Sequence, residues 1–290
     1  MIFYRRLPKF RYLKPRSEEE LFNMISSEKK TCVFAGGTDL IPKLKRRLIP
    51  SPDAIVDLKG IPYFNYVEVS DGFLRIGPTC TMRSIYSSPD VIKHFPVLAQ
   101  ASKSVGAFQI QNRATLAGNI CNAVPSADTA PALLVLEASL TLKGKKGERK
   151  VKIEEFFVGP NKTVIEEDEI LREIEIPLIS LESSGLYTKL SVRERMDLAI
   201  VGVATLVLKE NGKICDVRIG LGAVSPTPIR AKKAEAILKD GRITEASIDE
   251  ASKVASEEAS PIDDHRASKE YRRLMVETLL KRSLKKLLEV

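Results

Sequence analysis

The sequence predicts an α+β protein of two regions, the second built from helices packed on an antiparallel sheet. Three observations predict it. Three strand-like runs follow one another between residues 185 and 223, two of them joined by Asn211-Gly212, a strong hairpin signal. Only helical segments come after residue 230. Pro177 and a linker-like stretch at 178–184, with Ser and Gly nearby, separate this block from a first region where strands and helices intersperse. The expected division is therefore 1–177 and 178–290.

The first 34 residues begin with a short strand-like piece. A helix follows, opened by Ser17, with Glu18, Glu19 and Glu20 in its first turn where carboxylates complement the helix dipole. Residues 31–34 read as a strand that runs into two glycines. Ile41, Leu44 and Leu48 then recur at helical spacing, and Pro42 fits a first turn that has no use for its missing N–H. Residues 54–58 and 73–76 read as strands. Residues 84–105 read as helix broken at Pro89 and Pro96. A polar stretch spans 109–126, an apolar helix 130–138, and strands fall near Leu140, Val151 and 169–176. Strands are expected at 185–192, 201–209 and 215–223, and helices at 230–239, 248–259 and 268–288.

The chain has 290 residues, 43% hydrophobic and 29% charged, enough for a sizeable core. No run approaches the roughly 20 apolar residues that cross a bilayer, and no secretory leader is visible, so a soluble cytoplasmic protein without a membrane span is expected. Cys32, Cys80, Cys121 and Cys215 are scattered, with no C-x-x-C pair, and only His94 and His265 accompany them. Iron–sulfur and zinc sites need clustered ligands, so no metal is expected in this chain. The net charge of +8 is spread among 38 acidic residues. The densest basic cluster, 143–152, surrounds Gly144 and Gly147 as a hairpin turn would. A solvated surface explains it better than nucleic-acid binding.

Two segments carry chemistry. In the first, Val33 and Phe34 end a strand, Ala35, Gly36, Gly37 and Thr38 make the turn, and Asp39 and Leu40 enter a helix. Glycines admit backbone angles closed to other residues and let a ligand approach the main chain. Successive N–H groups in such a turn form an anion site, and a helix start adds more. The plain alternative is a tight turn with Thr38 as helix cap. The second segment, RATLAGNICNAVPSAD at 113–128, packs short polar side chains ahead of an apolar helix. Thr115 and Asn122 can bond phosphate or ribityl oxygens, and Asp128 can accept from ribose hydroxyls or anchor the loop. The alternative is a solvated loop capped by Ser126. The run Gly220-Leu221-Gly222-Ala223 lacks the third glycine of a dinucleotide fingerprint, and no phosphate loop of the G-x-x-x-x-G-K type is present.

Together, AGGTDL and, some 75 residues later, TLAGN-x-x-NA-x-P-x-x-D resemble the FAD-binding medium subunit of the molybdenum hydroxylases, the family of carbon monoxide dehydrogenase, xanthine dehydrogenase and aldehyde oxidoreductase. DEILREIEIP at 168–177, Tyr187 with Lys189, and HRASKEYRR at 265–273 extend the resemblance over nearly the whole chain. It implies a vanillyl-alcohol-oxidase-type FAD domain of two α+β subdomains, then a C-terminal domain with a three-stranded sheet and helices. It implies that residues 33–40 bind the FAD pyrophosphate and that Thr115, Gly118, Asn119, Asn122 and Asp128 line the cofactor. It also implies that Ile170 or Leu171, Lys189 and Tyr187 lie near the flavin ring. The family usually has Gly-Gly before the Asn where this chain has Ala117-Gly118, so either the backbone differs there or that position needs no positive φ.

The function implied is electron relay: FAD, held non-covalently, collects electrons from 2Fe-2S clusters in a small partner subunit. A large molybdopterin subunit oxidises the substrate, and the assembly is a dimer of heterotrimers. The acceptor is a small molecule or protein (NAD, a quinone, ferredoxin or oxygen) docking near residues 187–197. The resemblance also admits a self-contained flavin reductase or oxidase on the same fold.

Overall fold

The computed structural model describes residues 6–27, 29–239 and 243–288. The first subdomain comprises β1 (Arg11–Leu13), α1 (Glu18–Ser27), β2 (Thr31–Phe34), α2 (Leu40–Arg46) and β3 (Ala54–Asp57). Its parallel sheet has the order β1-β3-β2. All four residues of the central β3 are buried, as a parallel strand flanked on both sides requires. Ser17 Oγ accepts the Glu20 N–H at 3.2 Å, the cap expected for α1. Leu21, Phe22 and Ile25 of that helix pack with Val56, Leu58, Ile61 and Phe64. The periodicity overran α2: the helix stops at Arg46, Arg47 turns left-handed (φ 58°), and Leu48 is exposed rather than packed. Whatever the opening strand-like piece includes of residues 1–5 lies outside the described residues.

The second subdomain is larger. It runs through β4 (Val67–Ser70), β5 (Phe73–Ile76), α3 (Met82–Ser87), α4 (Pro89–His94), α5 (Pro96–Ser104), α6 (Phe108–Gln111), α7 (Leu116–Cys121) and α8 (Thr129–Val135). It continues with β6 (Ser139–Gly144), β7 (Gly147–Lys152), α9 (Ile153–Phe156), β8 (Phe157–Gly159), β9 (Lys162–Thr163) and β10 (Ile170–Pro177). The helical stretch breaks at Pro89 and Pro96 as expected, because each proline starts the next helix where no N–H is needed. The sheet is antiparallel, order β4-β5-β10-β6-β7. The polar stretch 109–126 is not simply a loop, since it holds α7 and the end of α6.

The C-terminal region holds β11 (Glu182–Leu190), β12 (Val201–Glu210), β13 (Lys213–Gly222), β14 (Ile229–Arg230), α10 (Lys232–Leu238), α11 (Glu245–Glu258) and α12 (Lys269–Leu288). Two expectations need correction here. Strand β11 begins at Glu182, inside the stretch read as linker, because residues 182–184 pair with 207–209. Arg230 is not helical. It pairs with Gly220 in β14, and Ala231 separates it from α10. The Asn211-Gly212 hairpin is present, both residues at positive φ (50° and 75°).

In the sheet β11-β12-β13-β14, strand β12 is buried on both faces. Val201, Val203 and Val207 point toward α10, α11 and α12. Ala204, Leu206 and Leu208, alternating with them, join the core of the second subdomain. The glycines of the Gly220-Leu221-Gly222 run serve this contact: a Cβ on Gly220 would lie 2.4 Å from the Pro131 carbonyl oxygen in α8, and one on Gly222 2.7 Å from Pro131 Cγ. Arg272 of α12 is buried and donates to the carbonyls of Ile200 (2.6 Å) and Ala223 (3.0 Å) and to Asp264 (2.8 Å). No described helix is long and apolar enough to cross a membrane.

Candidate functional site

A cavity of about 850 Å³ opens where the two subdomains and the loop after β11 meet. Val33, Phe34, Ala35, Gly36, Gly37, Thr38, Asp39 and Leu40 all line it. The turn is shaped by two close approaches. A Cβ on Gly36 would sit 2.2 Å from the Arg113 carbonyl oxygen, and Gly37 has φ +72° with the Phe34 ring 2.2 Å from where its Cβ would be. Among the described residues, no acceptor takes the N–H of any of residues 36–40. Thr38 is not the cap of α2. Asp39 holds that position, and its side chain caps nothing. The local chain thus presents a run of unpaired main-chain donors to a cavity wall, a shape that attracts anions.

The second segment forms the facing wall. Thr115, Ala117, Gly118, Asn119, Asn122 and Asp128 line the same cavity. Thr115 caps α7 by accepting the Gly118 N–H at 3.0 Å, and Asn119 accepts from the Thr129 hydroxyl at 2.6 Å. Ala117 is helical and nearly buried, so the departure from Gly-Gly costs nothing: the position needs no positive φ. Neither Ser126 nor any other side chain caps α8. Lys43, one turn into α2, reaches across to Asn122 Oδ1 and sits 3.4 Å from Asn161 Oδ1.

Ile170 and Leu171 at the start of β10 both line the cavity. Tyr187 and Lys189 do not line it; they stand behind Asp128. The Tyr187 hydroxyl and the Lys189 ammonium each donate to the Asp128 carboxylate at 2.9 Å. Lys189 also donates to the carbonyls of Asp197 (2.9 Å) and Ser104 (3.2 Å), tying three parts of the wall together. Burial raises the Asp128 carboxyl, and the nearby Lys189 and Tyr187 offset part of that. Burial first, then the Asp128 charge, pushes the Tyr187 phenol well above its usual value. It stays a neutral donor.

Sequence reasoning did not place Lys43 or the loop residues Arg193, Met196, Asp197 and Leu198 in the cavity wall, although the resemblance put the acceptor near residues 187–197. Lys43 carried a signal, since it lies one helical turn beyond the glycine turn. The loop itself carried none, because its approach depends on the Met196 N–H bonding to the Gly106 carbonyl 90 residues earlier (2.9 Å). Cys121 also lines the cavity and is exposed there. Among the described residues no cluster of three or more His, Cys, Asp or Glu is arranged to hold a metal.

Residues 8–179 match the FAD binding domain of molybdopterin dehydrogenases, and residues 187–287 match the C-terminal domain of the CO dehydrogenase flavoprotein. The chain is 31% identical over 277 residues to a putative xanthine dehydrogenase FAD-binding subunit of Escherichia coli, covering 93% of each. It is 31% identical over 278 residues to the glyceraldehyde dehydrogenase medium chain of Sulfolobus acidocaldarius, covering 96% of this chain and 98% of that one. Among solved structures, it superposes on a chain of carbon monoxide dehydrogenase from Hydrogenophaga pseudoflava with a TM-score of 0.93 at 30% identity, covering 98% of this chain and 99% of that one. With both domain models matched in order and relatives aligned nearly end to end, the chain belongs to the family of FAD-binding medium subunits of the molybdenum hydroxylases.

Proposed function

We propose that the cavity holds FAD non-covalently and that this chain relays electrons from the 2Fe-2S clusters of a small partner subunit to an external acceptor. The observation that carries the reading is the run of unpaired N–H groups at residues 36–40, set in a cavity of about 850 Å³ whose other walls are largely apolar. Those donors suit a pyrophosphate. Lys43, held by Asn122, adds a positive charge at the same end. Thr115, Gly118, Asn119 and Asn122 form the facing wall. Ile170 and Leu171 offer apolar contact for a flat ring, with Met196 and Leu198 completing that side. Tyr187 and Lys189 hold Asp128, and with it the wall, in place. When bound, FAD supplies exchange of one or two electrons, and the protein's part is to bind, orient and shield it.

Domain division near Pro177, residence in the cytoplasm, and assembly with a large molybdopterin subunit and a small iron–sulfur subunit as a dimer of heterotrimers belong to the same proposal. Met196 and Leu198 both line the cavity and remain more than 40% exposed (55% and 45%), which supports a partner covering that rim. The test is expression of the chain alone and with its candidate partners, assayed with an artificial dye. The relay reading expects dye reduction by organic substrates only in the presence of the partners. Substrate-dependent dye reduction by the lone chain would favour a self-contained flavoenzyme.

A further inference from the structure

The glycine turn is supported from behind by a side chain that does not touch the cavity. Lys59 follows β3, and its ammonium donates to the Ala35 carbonyl at 2.5 Å and to Asp57 Oδ1 at 2.6 Å. The same ammonium lies 3.8 Å from the centroid of the Phe34 ring, the ring that fills the space beside Gly37. Asp57 is buried, and it accepts from the Tyr12 hydroxyl and the Lys59 N–H as well. Burial alone would raise the Asp57 carboxyl, but hydrogen bonds from Lys59 and Tyr12 outweigh it and hold it ionised. Lys59 is absent from the cavity lining, whereas Ala35 and Gly36 are part of it.

The peptide bond is planar and trans, so the carbonyl of residue 35 and the N–H of residue 36 point in opposite directions. Fixing the Ala35 oxygen toward Lys59 therefore turns the Gly36 N–H away from Lys59. That N–H has no acceptor among the described residues. Without Lys59, a glycine-flanked peptide has little to stop it from flipping, because glycine tolerates both orientations. The Asp57 carboxylate neutralises the ammonium at close range, so Lys59 acts by direction more than by adding charge to the cavity.

We propose, resting on the FAD reading above, that Lys59 is a positioning residue of the anion-binding turn, holding the Ala35 carbonyl so that the Gly36 N–H is aimed at the ligand's diphosphate. The role is confined to the phosphate end. The test uses the full chain, deflavinated, titrated separately with FAD and with riboflavin, which carries the ring but no phosphate. Lys59→Met is expected to raise the Kd for FAD at least tenfold and to leave that for riboflavin within twofold. If that variant does not fold because Asp57 is left without its cation, Asp57→Asn combined with Lys59→Met removes the stranded charge and is expected to show the same selective loss. A Kd for FAD within twofold of the unaltered chain, or equal weakening of both ligands, would overturn the proposal. An unaltered chain that binds FAD no more tightly than riboflavin would instead sink the pyrophosphate reading itself, and Lys59 would have no diphosphate donor to aim.

Discussion

Gly37→Ala is the sharpest probe of the turn. Two terms add. Alanine at φ +72° costs about 1–2 kcal/mol of backbone strain. Its Cβ would also lie 2.2 Å from Phe34 Cε2 and 2.8 Å from Cζ. Moving that ring would give up its contact with the Lys59 ammonium at 3.8 Å, worth about 0.5–2 kcal/mol. Overpacking of this kind costs about 1–3 kcal/mol. The sum is about 2–5 kcal/mol, or about 30- to 4,000-fold in an equilibrium constant. If the free turn relaxes, the cost is paid on binding FAD; if it does not, the cost falls on stability. Both are measurable, by flavin-fluorescence titration of the deflavinated chain and by denaturant unfolding, and their combined loss should reach at least about 2 kcal/mol. Gly72→Ala is the control: it has φ +79° but nothing within 4 Å of its Cβ, so it should lose only about 1–2 kcal/mol of stability and no affinity. Full FAD affinity together with unchanged stability in Gly37→Ala would refute the reasoning.

Gly36→Val should abolish FAD retention, because its Cβ meets the main chain at Arg113, which has no side-chain freedom to yield; flavin content per chain after gel filtration measures it. Asp128→Ala strands the Lys189 ammonium and should destabilise the chain by about 3–5 kcal/mol, with a milder loss when Lys189→Met is added, as a double-mutant cycle in urea would reveal. FAD should be released on acid precipitation, since among the described residues no histidine lines the cavity; yellow colour retained in the pellet would contradict this. Burial alone would raise the Asp264 carboxyl, but hydrogen bonds from the Arg266 N–H and the Arg272 guanidinium hold it at about 2. Its folded pKa is thus depressed, and its contribution should be fully present above about pH 4 and lost as pH falls toward 2. Acid unfolding of Asp264→Asn should show a flatter dependence across that window.

Much of the fold was legible where local chemistry decides it. The prolines at 89 and 96 each occupy a first helical position, where their missing N–H is not needed, and Asn211-Gly212 adopts the positive φ pair of a tight hairpin. The glycine turn was legible because so few residues tolerate its geometry. What escaped depends on distant partners. Strand β14 exists because residues 229 and 230 pair with 221 and 220 on β13, and nothing local separates Arg230 from the helix that follows. Helix α7 is six residues with a Gly and an Asn inside, too short and polar for any periodicity to show. Asp128 was placed at the site, but its engagement by Tyr187 and Lys189 requires β11 to pack against α5, which spacing along the chain does not reveal. Lys59 gave no sign at all.

The alternating faces of β12 bear on how this chain can be cut or recombined. One face of that strand completes a core that begins near residue 74, and Val97 of α5 lies 3.0 Å from where a Gly185 Cβ would project. A fragment ending at residue 177 would expose Leu98, Leu133 and their neighbours to water, and it should aggregate rather than fold as a free FAD module. For the same reason, chimeras that graft the last hundred residues of a relative onto this chain should succeed only when the graft carries glycines at the positions of Gly220 and Gly222, which lie against Pro131. Interface compatibility between α8 and β13, more than similarity along either segment, should decide which members of the family can trade halves.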